Sequence, residues 1–250
     1  MNTFWLKIHA PFAAFRGFQA GVYRSTAPVM PPSAAYGLVL NLAGVEMRDY
    51  SNPKTTEILK DLPNLRLAIG VFRQPEKSSM YQQLHTYPVG NSGKPNTKDT
   101  QEEKDRSLES LAKGAKFWIT PARREMLIDY IGIIGVQTDD ETLQEKVEKG
   151  LRGELEESRY GLPFAGDNNF LFDRIEVLNE PPEDVVWYVR HQSDDKQVKG
   201  SCRLYVGINR TDNSKTTSSI FVPKEDLSLP LPENAWTWTP NPPREKTMVL

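Results

Sequence analysis

Apolar and polar residues alternate from Phe4 to Ala10, with Phe4, Leu6 and Ile8 on one side and Trp5, Lys7 and His9 on the other. That period of two predicts a first strand. Pro31 and Pro32 then interrupt the chain, and Ser33 marks a helix start carrying Ala34, Ala35, Leu38, Val39, Leu42 and Ala43 as one small apolar helix. A second, short helix is expected over Tyr50–Leu62, with Pro53 near its first turn and Ile58, Leu59 and Leu62 as its stripe. Leu65, Leu67, Ile69 and Val71 alternate as another strand, and Tyr81–Val89 reads as a strand continuation. From Gly90 to Lys113 the chain turns to Gly, Pro, Asn and mixed charge without a core-facing period, the pattern of an exposed insertion. Strand character resumes at Phe117–Pro121, and Glu125–Val136 is β-branched and apolar enough for a buried central strand.

Asp139–Leu155 predicts a helix capped by Thr138 or Asp139, with Leu143, Val147 and Leu151 at i, i+4 and i+8. Tyr160–Leu178 reads as a Gly-rich turn followed by a strand holding Phe170, Phe172, Ile175 and Val177. After Pro181 and Pro182 come strand candidates Val185–Arg190, Cys202–Ile208 and Ser218–Val222. The Pro-rich tail with Trp236 and Trp238 suits an extended segment laid on another surface. The order is strand, helix, strand, long insertion, strand, helix, Gly-rich turn, strand. This is an α+β, ferredoxin-like (RRM-like) βαββαβ layout over residues 1–180, with an insertion at about 75–121 between the second and third strands. Residues 181–250 then form a C-terminal β extension and tail.

Composition narrows the chemistry. The 250 residues suit one elaborated domain, and 38% hydrophobic content with 19 prolines suggests long excursions around a modest core. A net charge of −2 argues against a surface that is basic throughout, though a local basic face is compatible with it. One cysteine, Cys202, makes neither a disulfide framework nor a thiolate metal site. Three scattered histidines lack ligand spacing, and Asp139, Asp140 and Glu141 at a helix start serve the helix dipole, so no metal or other cofactor is expected. No apolar run approaches the roughly 20 residues that span a bilayer, and the cytoplasm is the default compartment.

Phe15–Gly44 contains no acid, and its arginines stand among aromatics: Arg16, Phe18, Tyr23 and Arg24, ahead of Ser33 at the helix start. Such a basic, Gly-containing loop feeding a helix suits an anionic polymer, because first-turn N–H groups and arginines meet phosphate and aromatic faces take a base. It equally suits a plain surface loop. Lys113, Lys116, Arg123 and Arg124 form a second basic group, whose bland counterpart is a solvated patch. Phe164, Gly166, Asn168 and Asn169 form a third. Gly166 permits close backbone approach and Asn can read a base edge or phosphate, while a simple turn has the same composition. His85, near Tyr81 and Tyr87, could do acid–base work on RNA with a nearby lysine, or simply lie on a polar strand.

Residues Arg16–Gly44, with Arg24, Thr26, Pro31, Pro32, Ser33, Gly37 and Leu38 in place, resemble the N-terminal signature of CRISPR-associated protein family five. The resemblance implies a ferredoxin-like fold whose insertion is a protruding thumb and whose Gly-rich loop falls at Gly161–Asn169. It implies a subunit of type I surveillance complexes (Cascade) that binds the 5′ handle of crRNA. Expected partners are the neighbouring backbone subunit, the large PAM-recognising subunit and, near the PAM, target DNA. The end result is target degradation or, in transposon-associated systems, DNA insertion. Members that cleave repeat RNA use a tyrosine late in the first helix and an adjacent Lys-His pair. Here Leu40–Gly44 holds no tyrosine and no Lys-His dipeptide occurs, which implies a non-catalytic member. A metal-independent endoribonuclease, and a protein-interaction module without an RNA site, stand as the alternatives.

Overall fold

The computed structural model describes residues 1–17, 22–51, 57–86, 118–157, 159–192 and 198–240. The chain divides into two compact units. The larger comprises Met1–Gly17, Thr26–Ser78 and Met126–Leu250, the smaller Phe18–Ser25 and Ser79–Glu125. The expected insertion lies mostly outside the described residues.

The architecture is sheet-rich with few helices. Strands β1 (Asn2–Ala13), β5 (Leu65–Val71), β7 (Trp118–Thr138), β8 (Arg174–Leu178), β9 (Val186–Arg190), β10 (Cys202–Gly207) and β11 (Thr217–Lys224) lie in the order β10-β11-β9-β5-β7-β1-β8. Every pairing along this path is antiparallel. Helices α1 (Pro32–Leu42) and α2 (Leu143–Arg152) contribute to the main core. The alternation read from the sequence decides which side chain goes where. Phe4, Leu6 and Ile8 of β1, and Leu65, Leu67 and Ile69 of β5, join α1 and α2 in that core. Intervening positions face the other way. There Trp5 meets Trp187 and Trp236, with ring centroids 5.5 and 5.7 Å apart, in a smaller cluster. Gly135 leaves room for it, since a Cβ there would lie 2.5 Å from the Trp5 ring.

Several elements differ from the sequence reading. The helix expected over Tyr50–Leu62 is replaced by a short antiparallel ladder, β3 (Arg48–Asp49) against β4 (Glu57–Ile58), with 52–56 outside the described residues. Ile58, β-branched, suits the strand position it takes in β4. Helix α1 begins at Pro32, with Pro31 as N-cap, so Ser33 stands one residue inside it. Helix α2 begins at Leu143 rather than Asp139. Asp140 Oδ1 accepts from Thr142 N and Oγ1 at 2.8 and 2.7 Å, making a turn of the residues expected to start the helix. The two strands expected at Phe117–Pro121 and Glu125–Val136 fall in one 21-residue strand, β7, with Phe117 outside the described residues. Phe170 and Phe172 precede β8 rather than lie in it, and Phe170 packs on Phe12 instead. The Trp-containing tail supplies β12 (Trp236–Thr239), which pairs Leu65–Ala68 of β5 beside the Ile69–Val71 segment paired by β9.

In the smaller unit, β2 (Tyr23–Arg24) runs parallel to the early part of β7, and β6 (Glu76–Thr86) also pairs β7.

Candidate nucleic-acid interface

The parallel register of β2 and β7 sets Tyr23 beside Arg123 and Arg24 beside Arg124. Two residue groups separated by about a hundred positions in the chain thus become neighbours. Paired positions share a face, so Arg24 and Arg124 are neighbours in register. Among the described residues, the buried Nε of Arg24 has no hydrogen-bond partner. In the other row, the Arg123 guanidinium lies 5.8 Å from the Tyr23 ring centre and donates to Ser79 Oγ at 3.0 Å. The Tyr23 hydroxyl donates to Glu125 Oε1 at 2.5 Å, and this bond to a carboxylate raises its pKa above the usual phenol value. Glu125 and Ser79, which orient Tyr23 and Arg123, were not singled out by the sequence. Alternation along β7 was the available signal, since it puts Glu125 on the face of Arg123. Phe18, Lys113 and Lys116 lie outside the described residues.

In the larger unit, Arg16, Thr26 and the Gly-rich turn come together. Phe15 N donates to Thr26 Oγ1 at 2.8 Å, and Ala14 N to Ala165 O at 2.9 Å. Gly166 has φ +82°, and a Cβ there would lie 2.3 Å from Ala14 O, so the turn needs glycine twice over. Arg16 Nη2 donates to Asp167 Oδ2 at 2.5 Å, and the Asp167 side chain is only 4% exposed. Asn169 N and Nδ2 donate to Asp167 Oδ1 at 3.2 and 2.9 Å. Arg16 therefore ties the loop to the turn through a buried carboxylate. Asn168 and Phe164 are exposed at the turn, and Ser33 is half-buried in the first turn of α1. Asp167 is the residue the sequence reading passed over, and an acid inside a Gly-Asn turn facing an isolated upstream arginine was its signal.

For catalysis, the tyrosine within α1 is Tyr36. It is buried, donates to Pro63 O at 2.8 Å, and burial pushes its pKa up to about 12. His85 falls in β6, and Tyr87 lies outside the described residues. Among the described residues no cluster of His, Cys, Asp or Glu could hold a metal ion, and no helix is long and apolar enough to cross a membrane.

Residues 3–159 match the family model described as CRISPR-associated protein (Cas_Cas5). The chain belongs to that family. One solved structure of similar fold is titled "CRISPR RNA-guided surveillance complex". It is 14% identical, with 90% of each chain covered and a TM-score of 0.53. Another, titled "Crystal structure of Cas protein", is 12% identical over 90% of this chain and 95% of that one, with a TM-score of 0.47. No curated protein matches the sequence.

Proposed function

We propose that this CRISPR-associated chain is a non-catalytic, RNA-binding subunit of a type I effector complex that holds the 5′ handle of crRNA. In that role it contacts the backbone subunit and the large PAM-recognising subunit. The observation that carries the reading is the Arg24–Arg124 pairing in β2 and β7. Two arginines paired in strand register, beside a Tyr23 whose hydroxyl donates to Glu125, suit a phosphate with a splayed base next to it. Family membership and the likeness to a chain of an RNA-guided surveillance complex support the same reading. The finer fold reading is ferredoxin-like. The order β8-β1-β7-β5, with α1 after β1 and α2 after β7, supports it, and residues of about 75–121 would be the thumb. Residues 181–250 are the extension added to this frame.

Titration of labelled handle RNA tests the proposal. Changing Arg24→Ala and Arg124→Ala together is expected to weaken binding on the order of 30-fold or more, as two charge-assisted contacts are lost. The salt dependence should flatten as fewer counterions are released. Unchanged affinity and slope in the folded variant would sink the assignment. The buried, bonded state of Tyr36 and the missing Lys-His pair support the non-catalytic part. Repeat RNA incubated with purified protein, with and without divalent metal, is expected to stay intact on a denaturing gel. Specific cleavage products would instead favour the endoribonuclease reading.

A further inference from the structure

Among the described residues, the face of the sheet that carries Trp5 is covered by the Trp187 and Trp236 rings at one end. Further along β1, on that same face, Lys7 and His9 are half-buried. The register makes two rows there. Lys7 sits between Ile133 and Glu176, and His9 between Ile131 and Arg174. Phe72 continues the second row, its N–H donating to Ile131 O at 3.0 Å. Between the rows lies a cleft of about 190 Å³ lined by Lys7, His9, Ile131, Arg174 and Glu176.

The charges of this cleft are unequally matched. Glu176 stands opposite Lys7 in register, yet its carboxylate pairs with Arg174 Nε at 3.1 Å. Asp129 and Asp173 face the two ring nitrogens of His9, at 2.8 and 3.2 Å. The three acids are thereby engaged. Two cations beside them have no carboxylate within ion-pair distance among the described residues. Lys7 Nζ lies 5.8 Å from the Phe72 ring centre, and Arg73 Cζ lies 5.4 Å from that same centre. The face therefore offers two positive charges around one aromatic ring, on an apolar floor of Ile131.

We propose that this open sheet face is a second contact for single-stranded nucleic acid, separate from the Arg24–Arg124 pair. One phosphate lies on Lys7 and Arg73, and the attached sugar or base lies against Phe72 and Ile131. The inference rests on the reading of the chain as an RNA-binding subunit. An anion matches the two cations, and the apolar floor favours a nucleotide over a bare phosphate. A sheet face with an aromatic and flanking cations is a general platform for single strands.

Fluorescence anisotropy with labelled oligouridine RNA on the full chain is the test, comparing wild type with the Lys7→Ala, Arg73→Ala double variant and the Arg24→Ala, Arg124→Ala variant. The Lys7/Arg73 variant is expected to bind about tenfold more weakly and to lose part of the salt slope, about 0.7 per contact removed. Its melting temperature should stay near the wild-type value, because neither cation is ion-paired among the described residues. Binding and slope equal to wild type in that variant, with the Arg24/Arg124 variant weakened, overturn this second contact and leave the proposed function standing. A wild-type chain that binds no RNA overturns both. Polyglutamate that displaces RNA from wild type, but no longer from the Lys7/Arg73 variant, assigns the face to an acidic peptide and overturns the inference as well.

Discussion

Replacing Arg16 by alanine is expected to destabilise the fold by about 3–5 kcal/mol, the range for breaking one side of a buried ion pair. The reason is what remains behind. Asp167 is almost fully enclosed, and the change removes the guanidinium 2.5 Å from its carboxylate. Its bonds from Asn169 persist, but they do not supply a positive charge. At this chain length the loss corresponds to a drop in melting temperature on the order of 10 °C. An Arg16→Gln, Asp167→Asn double variant, which removes both charges while keeping polar groups, should recover most of it. A melting temperature unmoved by Arg16→Ala would show that the pair is incidental and return Arg16 to the list of phosphate contacts.

Gly150→Ala carries an effect of similar size, and here two principles oppose each other. In a helix interior, alanine is favoured over glycine by about 1 kcal/mol. Gly150, however, faces Leu42 at the end of α1, and a Cβ would sit 1.7 Å from the Leu42 carbonyl oxygen and 3.3 Å from Leu155 Cδ1. A backbone carbonyl cannot swing aside as a side chain can, so α1 and α2 must separate. The packing cost is then expected to exceed the propensity gain, for a net loss of about 3 kcal/mol or more. Urea denaturation measures it directly. A midpoint raised by the substitution would mean that the helices adjust freely and that this contact does not fix their spacing.

Local pattern carried much of the fold. Alternation located β1 and β5, strand candidates stood at β9, β10 and β11, and the Pro-Pro-Ser stretch located α1 to within a residue. What escaped depends on distant partners. Trp236–Thr239 reads as a Pro-flanked tail until Leu65–Ala68 is known to lie beside it. Tyr23–Arg24 is a strand of two residues whose existence depends on β7. The site divides in the same way. Arginines and aromatics were visible as candidates, but the pairing of Arg24 with Arg124 follows from strand register. The engagement of Arg16 follows from the burial of Asp167. Tyr50–Leu62 failed for the opposite reason, since an apolar stripe was read where Ile58, β-branched, suits a short ladder.

The edge of β5 is closed end to end by two separate strands, β9 and β12, and the second arrives from the far end of the chain. Synthesis runs from the N-terminus at about 5–20 residues per second. A nascent chain therefore holds α1, β5 and β7 well before Trp236–Thr239 leaves the ribosome. During that interval Leu65–Ala68 presents unpaired backbone N–H and C=O groups, a template for another nascent chain. Chains terminated before Trp236 are accordingly expected to collect in inclusion bodies, while chains extending past Thr239 remain in the soluble fraction.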